Sequence, residues 1–247
     1  MTTVINSRTA ILEIGEDVVK KVLTVEGRFE KDLVSLKIFE SILGDGVLYD
    51  GWSYKCCRLI DFDEELKAIF MTRARGVAIS ESFDYASVHH AAVWISIFQF
   101  RNCQRNSNKK VPLFGDYGPP HVFVDSGNKE VIVIDPSLTI GEKVVPERDV
   151  GYMLSCLVLL SIKKLKNPIK VGRVFIESYF GCSNYKLLRP ELLAVVKSEQ
   201  EQTRRRWIRK ARGRYKALGY SSLGVIYSLV NSLIINLIIS KNKYVEH

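Results

Sequence analysis

The chain has no Cys-x-x-Cys pair, and its five cysteines, Cys56, Cys57, Cys103, Cys156 and Cys182, are odd in number. Its four histidines do not space with them as zinc ligands, so neither a disulfide framework nor a structural zinc domain is expected. Reduced, buried thiols in a cytoplasmic protein are the expectation. The start, Met1-Thr-Thr-Val-Ile-Asn-Ser-Arg8, also lacks the charged-then-apolar pattern of a secretory leader. Most of the chain lacks a charge excess as well. Although the formal net charge is +9, residues 204–247 hold ten of the Lys and Arg against Glu246 alone, so residues 1–203 are neutral. A basic folded face for generic nucleic-acid binding is therefore not expected, although a basic tail could still touch RNA or DNA.

What is present is ample core material: 247 residues, 47% of them hydrophobic, suit one large domain or a two-lobed one. The most informative stretch runs from Phe114 to Asp135. Two β-prone runs, His121 to Asp125 and Glu130 to Ile134, flank Ser126-Gly127-Asn128-Lys129, whose Gly-Asn centre can supply the positive φ angles of a tight hairpin. If Ser126 faces Lys129, His121 lies opposite Ile134. The open end of the hairpin then carries His121 beside Asp135, with Asp116 on the loop that enters it. Two carboxylates and an imidazole converge there without any distant segment having to be placed.

Upstream, Thr9 to Ile14 and Asp17 to Leu23 read as a hairpin around Gly15-Glu16. Strand alternation puts Val19, Lys21 and Leu23 on one face and Val18, Lys20 and Val22 on the other, so one of the two lysines faces inward. Two solvated lysines on an edge strand are the simpler alternative. Arg28 to Leu43 has a helical apolar repeat, Cys57 to Ile79 reads as two strands around an acidic turn, and Glu81 to Arg101 is a further helix. His89 and His90 on that helix are read as packing or surface residues. After a polar loop over Asn102 to Lys110 and the central hairpin, helices are expected from Pro146 onward, over Phe175 to Gly181 and over Pro190 to Gln200.

Phe114-Gly-Asp-Tyr-Gly-Pro-Pro-His121, followed by Ile134-Asp-Pro136, resembles the catalytic and metal-binding hairpin of the aminoglycoside phosphotransferase group of the protein-kinase-like superfamily. Those proteins carry His-Gly-Asp-x-x-Pro-x-Asn, a hairpin, then Ile-Asp. Gly115, Asp116, Pro119, Ile134, Asp135 and Pro136 match, while Phe114 replaces the family's His and His121 its metal-binding Asn. The resemblance covers roughly residues 10 to 200. It implies an α+β, two-lobed protein-kinase-like fold, with an N-lobe over 1–75, a C-lobe over 76–203, and ATP and Mg2+ as cofactors. It further implies that Asp116 orients or deprotonates the acceptor hydroxyl and that Asp135 binds magnesium, with His121 at the second metal-ligand position. Lys21, or Lys20 in reserve, would hold phosphate. Asp32 matches the helix acid that pairs with the strand lysine, Met71, Thr72 and Arg73 belong to the hinge under the adenine, and Asp149 matches an acid that braces the catalytic loop. No G-x-G-x-x-G precedes Lys21, so the cover over the phosphates is not recognisable.

The tail, 204–247, joins eight basic residues over 204–216 to an uncharged run over 217–240. Ser221, Gly224, Ser228, Asn231, Ser232 and Asn236 fall near one helical face, and Val225, Ile226, Leu229, Val230, Leu233, Ile234, Leu237 and Ile238 on the other. Such a helix can span a bilayer, lie on its cytoplasmic face, dock on the C-lobe as ordinary core, or self-associate. The leading functional expectation is an ATP-dependent phosphotransferase acting on a hydroxyl of a small molecule or sugar, with a glycolipid head among the candidates. The second is a catalytically impaired pseudokinase acting as a nucleotide-binding or scaffold protein, suggested by His121 and Asp32. A membrane-attached structural protein is the third.

Overall fold

The computed structural model describes residues 3–6, 10–105, 113–137, 146–182, 187–210, 228–240 and 245–246. Five strands, β1 (Thr3–Asn6), β2 (Ala10–Ile14), β3 (Val18–Leu23), β6 (Leu59–Asp63) and β7 (Ala68–Thr72), form an antiparallel sheet in the order β1-β2-β3-β7-β6. Alternation in β3 buries Lys21 and Leu23 and leaves Val18 exposed. Gly27, at φ 70°, turns the chain from this sheet into α1 (Arg28–Leu43). The apolar repeat of α1 buries Phe29, Leu33, Leu36, Phe39, Ile42 and Leu43, and the same face carries Asp32 inward. The strand β1 was not legible in the sequence, and residues 7–9, between β1 and β2, lie outside the described residues.

The second sheet has the order β4-β5-β10-β9-β8, from β4 (Val47–Tyr49), β5 (Trp52–Cys56), β8 (Val77–Ala78), β9 (Val122–Asp125) and β10 (Glu130–Val133). Its centre is the expected hairpin in the expected register, Asp125 opposite Glu130 and Val122 opposite Val133, with the Ile134 N–H donating to the His121 carbonyl at 3.0 Å. The turn differs from the expectation. Asp125 accepts the N–H groups of Gly127 and Asn128, both at 3.1 Å, and the left-handed residue is Lys129 at φ 52° rather than the Gly-Asn centre. A carboxylate that closes the turn from its first residue moves the positive φ to the last. Also unanticipated is β5, which runs parallel to β10 and ties the segment after α1 to the hairpin, with Lys55 and Glu130 paired across the join.

Below lie the helices α2 (Tyr85–Arg105), α3 (Glu147–Lys163), α4 (Pro168–Gly181) and α5 (Arg189–Lys210), with α6 over 228–240. Helix α2 packs on α4, and α3 on α4 and α5. Two helix starts differ from the apolar pattern because caps set them. Asp84 accepts the Ser87 N–H at 2.7 Å, so α2 begins at Tyr85 rather than Glu81. Asn167 accepts from Ile169 and Lys170 ahead of Pro168, so α4 begins a full two turns before Phe175. Cys56 and Cys57 are buried free thiols, with burial raising both and Cys57 pushed up to about 12. Cys156 and Cys182 are only half-buried, short of the expected full burial. His90 is buried and packs at a tilt against Trp52, with burial pushing it down to about 4, and His89 bonds the Ser178 hydroxyl at 2.8 Å.

Candidate active site

The loop before the hairpin is held by packing and by one buried carboxylate. Phe114 is fully buried and meets Phe39, Trp94 and Tyr117 edge-on, while Tyr117 stacks on Trp94 and donates its hydroxyl to the Ala91 carbonyl at 2.7 Å. An aromatic side chain at 114 therefore anchors the loop by burial. Asp149, in the first turn of α3, accepts the Phe114 N–H at 2.9 Å and the Gly115 N–H at 3.0 Å. Burial pushes its carboxyl up to about 6, against the pull of those two amides. Gly115 sits at φ 86°, and a Cβ there would stand 2.3 Å from the Ser137 carbonyl, so the loop passes the chain after Asp135 at a distance only glycine allows.

These anchors leave Asp116 exposed between two further contacts. Its backbone carbonyl bonds His121 Nδ1 at 2.7 Å. A carbonyl only accepts, so Nδ1 carries the proton and Nε2 is the imidazole's acceptor. The Tyr152 hydroxyl on α3 lies within electrostatic reach of the Asp116 carboxylate, and its acidity is suppressed first by burial, then by Cys156 and by that carboxylate. Tyr152 went unnoticed in the sequence. The signal that could have found it is its position three residues after Asp149, on the same face of α3.

Across the cleft, Lys21 Nζ lies 2.9 Å from Asp32 Oδ2 and 2.5 Å from Asp135 Oδ1, although 114 residues separate it from the latter. Lys21 and Asp32 are buried side chains, whereas Asp135 keeps 46% of its side chain accessible. Burial alone would lower the Lys21 pKa, but the two carboxylates outweigh it and hold it above the ordinary 10.5. For Asp135, burial pushes upward and Lys21, then His121 and Arg28, pull harder downward. The shorter side chain of Asp32 reaches the lysine directly, and Arg28 Nε, one turn earlier, contacts its other oxygen at 3.2 Å. Lys20 points away and pairs with Glu13 at 3.3 Å on the surface. Asp135 itself adopts φ 57°, a left-handed backbone that costs energy in a non-glycine residue and is concentrated at functional sites.

Lys21, Asp135 and His121 line one cavity of about 390 Å³, in the range of small-molecule sites. Ala10, Leu12, Val19 and Met71 make its apolar wall. Thr72 and Arg73 are on its rim, but the Thr72 N–H is bonded to the Arg58 carbonyl and the Arg73 N–H to the Asp17 carbonyl. Among the described residues no group of three or more His, Cys, Asp or Glu could hold a metal ion by itself. Asp135 nevertheless fits magnesium, which keeps waters and phosphate oxygens and needs only one or two carboxylates. The His121 nitrogen does not suit that hard ion.

No protein-family model matches the chain, and no curated protein sequence matches it. Solved structures do. A choline/ethanolamine kinase family protein from Mesorhizobium loti aligns at a TM-score of 0.57 and 10% identity, over 96% of this chain and 92% of that one. The Plasmodium vivax ethanolamine kinase aligns at 0.52 and 10%, over 98% of this chain and 84% of that one. Likeness at such identity is likeness of fold, and it extends over almost the whole of each chain. With its strand-rich first part, its helical second part and the cavity that Lys21 and Asp135 both line, the chain has the α+β protein-kinase-like fold that these two kinases share.

Proposed function

We propose that the protein is an ATP-dependent phosphotransferase that acts on a hydroxyl of a small molecule or sugar, a glycolipid head group included. The observation that carries this reading is the Asp32–Lys21–Asp135 cluster, with Lys21 and Asp32 buried and Asp135 half-exposed, facing a cavity of nucleotide-compatible size. A lysine held between two acids from separate elements is aimed, and phosphoryl transfer depends mainly on such positioning and on charge.

In this reading Lys21 gives up Asp135 to phosphate oxygens when nucleotide enters and keeps Asp32, which with Arg28 fixes its direction. Asp135 is then the carboxylate for magnesium, an ion that supplies charge neutralisation across the phosphates. Asp116 takes the proton of the acceptor hydroxyl as that oxygen bonds to the γ-phosphorus and the bond from phosphorus to the β–γ bridging oxygen breaks, releasing ADP. Tyr152 orients the Asp116 carboxylate, and Asp149 holds the loop that carries it.

A second reading, a nucleotide-binding scaffold without transfer, is favoured by one feature, the nitrogen ligand His121 where an oxygen ligand serves magnesium better. Titration of ATP into the full chain with and without magnesium, followed by heat or thermal stabilisation, separates the two. Magnesium-dependent binding that Asp135→Ala abolishes is the expected result, with Asp116→Ala retaining binding and losing transfer. Equal nucleotide affinity in wild type and Asp135→Ala would sink the metal assignment, and binding without transfer to any sugar or small alcohol would install the scaffold.

A further inference from the structure

Helix α6 covers residues 228–240, Ser-Leu-Val-Asn-Ser-Leu-Ile-Ile-Asn-Leu-Ile-Ile-Ser, without one charged side chain. Its inner face is filled by Asn231, Ile235, Ile238 and Ile239, all buried, and a Cβ on Gly172 of α4 would meet the Ile238 side chain at 2.3 Å. Ser232 donates to Gln200 of α5 at 3.1 Å, and Asn236 to the Ser232 carbonyl at 3.0 Å. Asn231 and Ser232 thus face the body of the protein together with Ile235, Ile238 and Ile239. Facing water instead are Leu229, Leu233 and Leu237, one helical turn apart and 61%, 65% and 46% exposed, with Val230 beside them at 41%. A helix docked as ordinary core would turn its leucines inward and its serines and asparagines outward.

The second observation is charge. Residues 204–216 hold eight Lys and Arg and no acid, Lys241 and Lys243 follow α6, and residues 1–203 are neutral, so the whole excess lies on either side of this leucine stripe in sequence. Among the described side chains, Arg205, paired with Glu201 at 2.9 Å, and Lys197 line the groove between α5 and α6 that Leu229 also lines.

We infer that the α5–α6 end of the protein is a peripheral docking surface for an anionic phospholipid bilayer, with the leucine stripe entering the acyl boundary and the flanking basic residues facing lipid phosphates. A second copy of the chain is the poorer occupant, because it would bring its own basic segment against this one. A nucleic acid would meet the charge and leave the leucines in water. The geometry is one of lying on the membrane: the inner face of α6 is occupied by the fold, and among the described residues no helix is long and apolar enough to cross a bilayer.

The test is flotation of the full chain with phosphatidylcholine vesicles, with and without phosphatidylglycerol, at low and high salt. Binding to the anionic vesicles alone, weakened by salt, is expected. The triple variant Leu229→Ser, Leu233→Ser, Leu237→Ser should bind at least about 10-fold more weakly while keeping its melting temperature, since these side chains make no core. Should that variant misfold, Leu233→Trp decides: its emission shifts to the blue with anionic vesicles, and is quenched by brominated lipid. Absence of binding to anionic vesicles, or undiminished binding by a folded triple variant, overturns the inference. So does a wild-type dimer in sedimentation that the triple variant converts to monomer, which assigns the stripe to a second copy.

Discussion

Lys20 and Lys21 are adjacent, chemically identical and oppositely placed, which makes them an internal control. Replacing Lys21 by Met keeps the stem and removes the ammonium, leaving Asp32 buried and Asp135 without its contact at 2.5 Å. Breaking a fully buried pair costs roughly 3–5 kcal/mol. Here the cost is reduced, because Arg28 stays 3.2 Å from Asp32 and Asp135 is 46% accessible to water; we expect about 2–3 kcal/mol on those grounds. Lys20→Met loses only a pair with Glu13 whose side chains are 28% and 40% exposed, a loss of roughly 0–1 kcal/mol. For a chain of this size each kcal/mol moves the melting temperature by roughly 2–4 °C, so Lys21→Met should melt several degrees below Lys20→Met. The gap is complete at neutral pH. It closes as the pH climbs past the ordinary lysine value of 10.5, because a raised lysine pKa gives stability that is lost on deprotonation. Adding Asp32→Leu to Lys21→Met should recover part of the loss, since no unpaired buried anion then remains. Calorimetric melting of all four proteins, with and without ATP and magnesium, completes the test: the two that carry Lys21→Met should lose nucleotide-dependent stabilisation without losing the fold, and Lys20→Met should keep it. Equal melting of the two single variants, or a larger effect at Lys20, would refute the reasoning.

Asp149 carries a different pH signature. A buried acid raised to about 6 binds its proton more readily folded than unfolded, so the wild type should lose roughly 3 kcal/mol between the ordinary value of 3.8 and about 6 as pH rises; Asp149→Asn, compared by urea denaturation across that range, should lack this slope. The same variant offers one acceptor where two amides need one each, and transfer should drop at every pH. With His121 Nε2 as a borderline ligand, manganese should outperform magnesium in nucleotide-dependent thermal stabilisation, and His121→Asn should shift the preference toward magnesium; an unchanged preference removes His121 from the metal. Tyr152→Phe should lower kcat about 10-fold at unchanged ATP affinity, and equal kcat would leave the hydroxyl without a positioning role.

The central hairpin was legible because its register is local. Asp125 opposite Glu130 fixes every later pair, and the convergence of His121, Asp135 and Asp116 follows from counting residues. That one of Lys20 and Lys21 faces inward was readable for the same reason, strand alternation being a two-residue rule, while the preference for Lys21 came from the family resemblance. The turn type was missed because a side chain, Asp125, competed with the backbone preferences of Gly127 and Asn128. Contacts between distant segments left no periodic trace. The parallel pairing of β5 with β10 joins residues that nothing in either stretch marks as partners, and the match of Lys21 to Asp135 became visible only once both sheets were in place. Helix α6 shows the deeper limit. Its sequence pattern sets Ile238 on one face with the leucines, whereas the structure buries Ile238 beside Asn231, Ile235 and Ile239 and leaves the leucines outside. What decided was a tertiary fact, the glycine at 172 that admits Ile238 and the Gln200 side chain that meets Ser232, and together they turn the leucines outward. A periodicity argument names the faces of a helix, and only the surface it docks against assigns them.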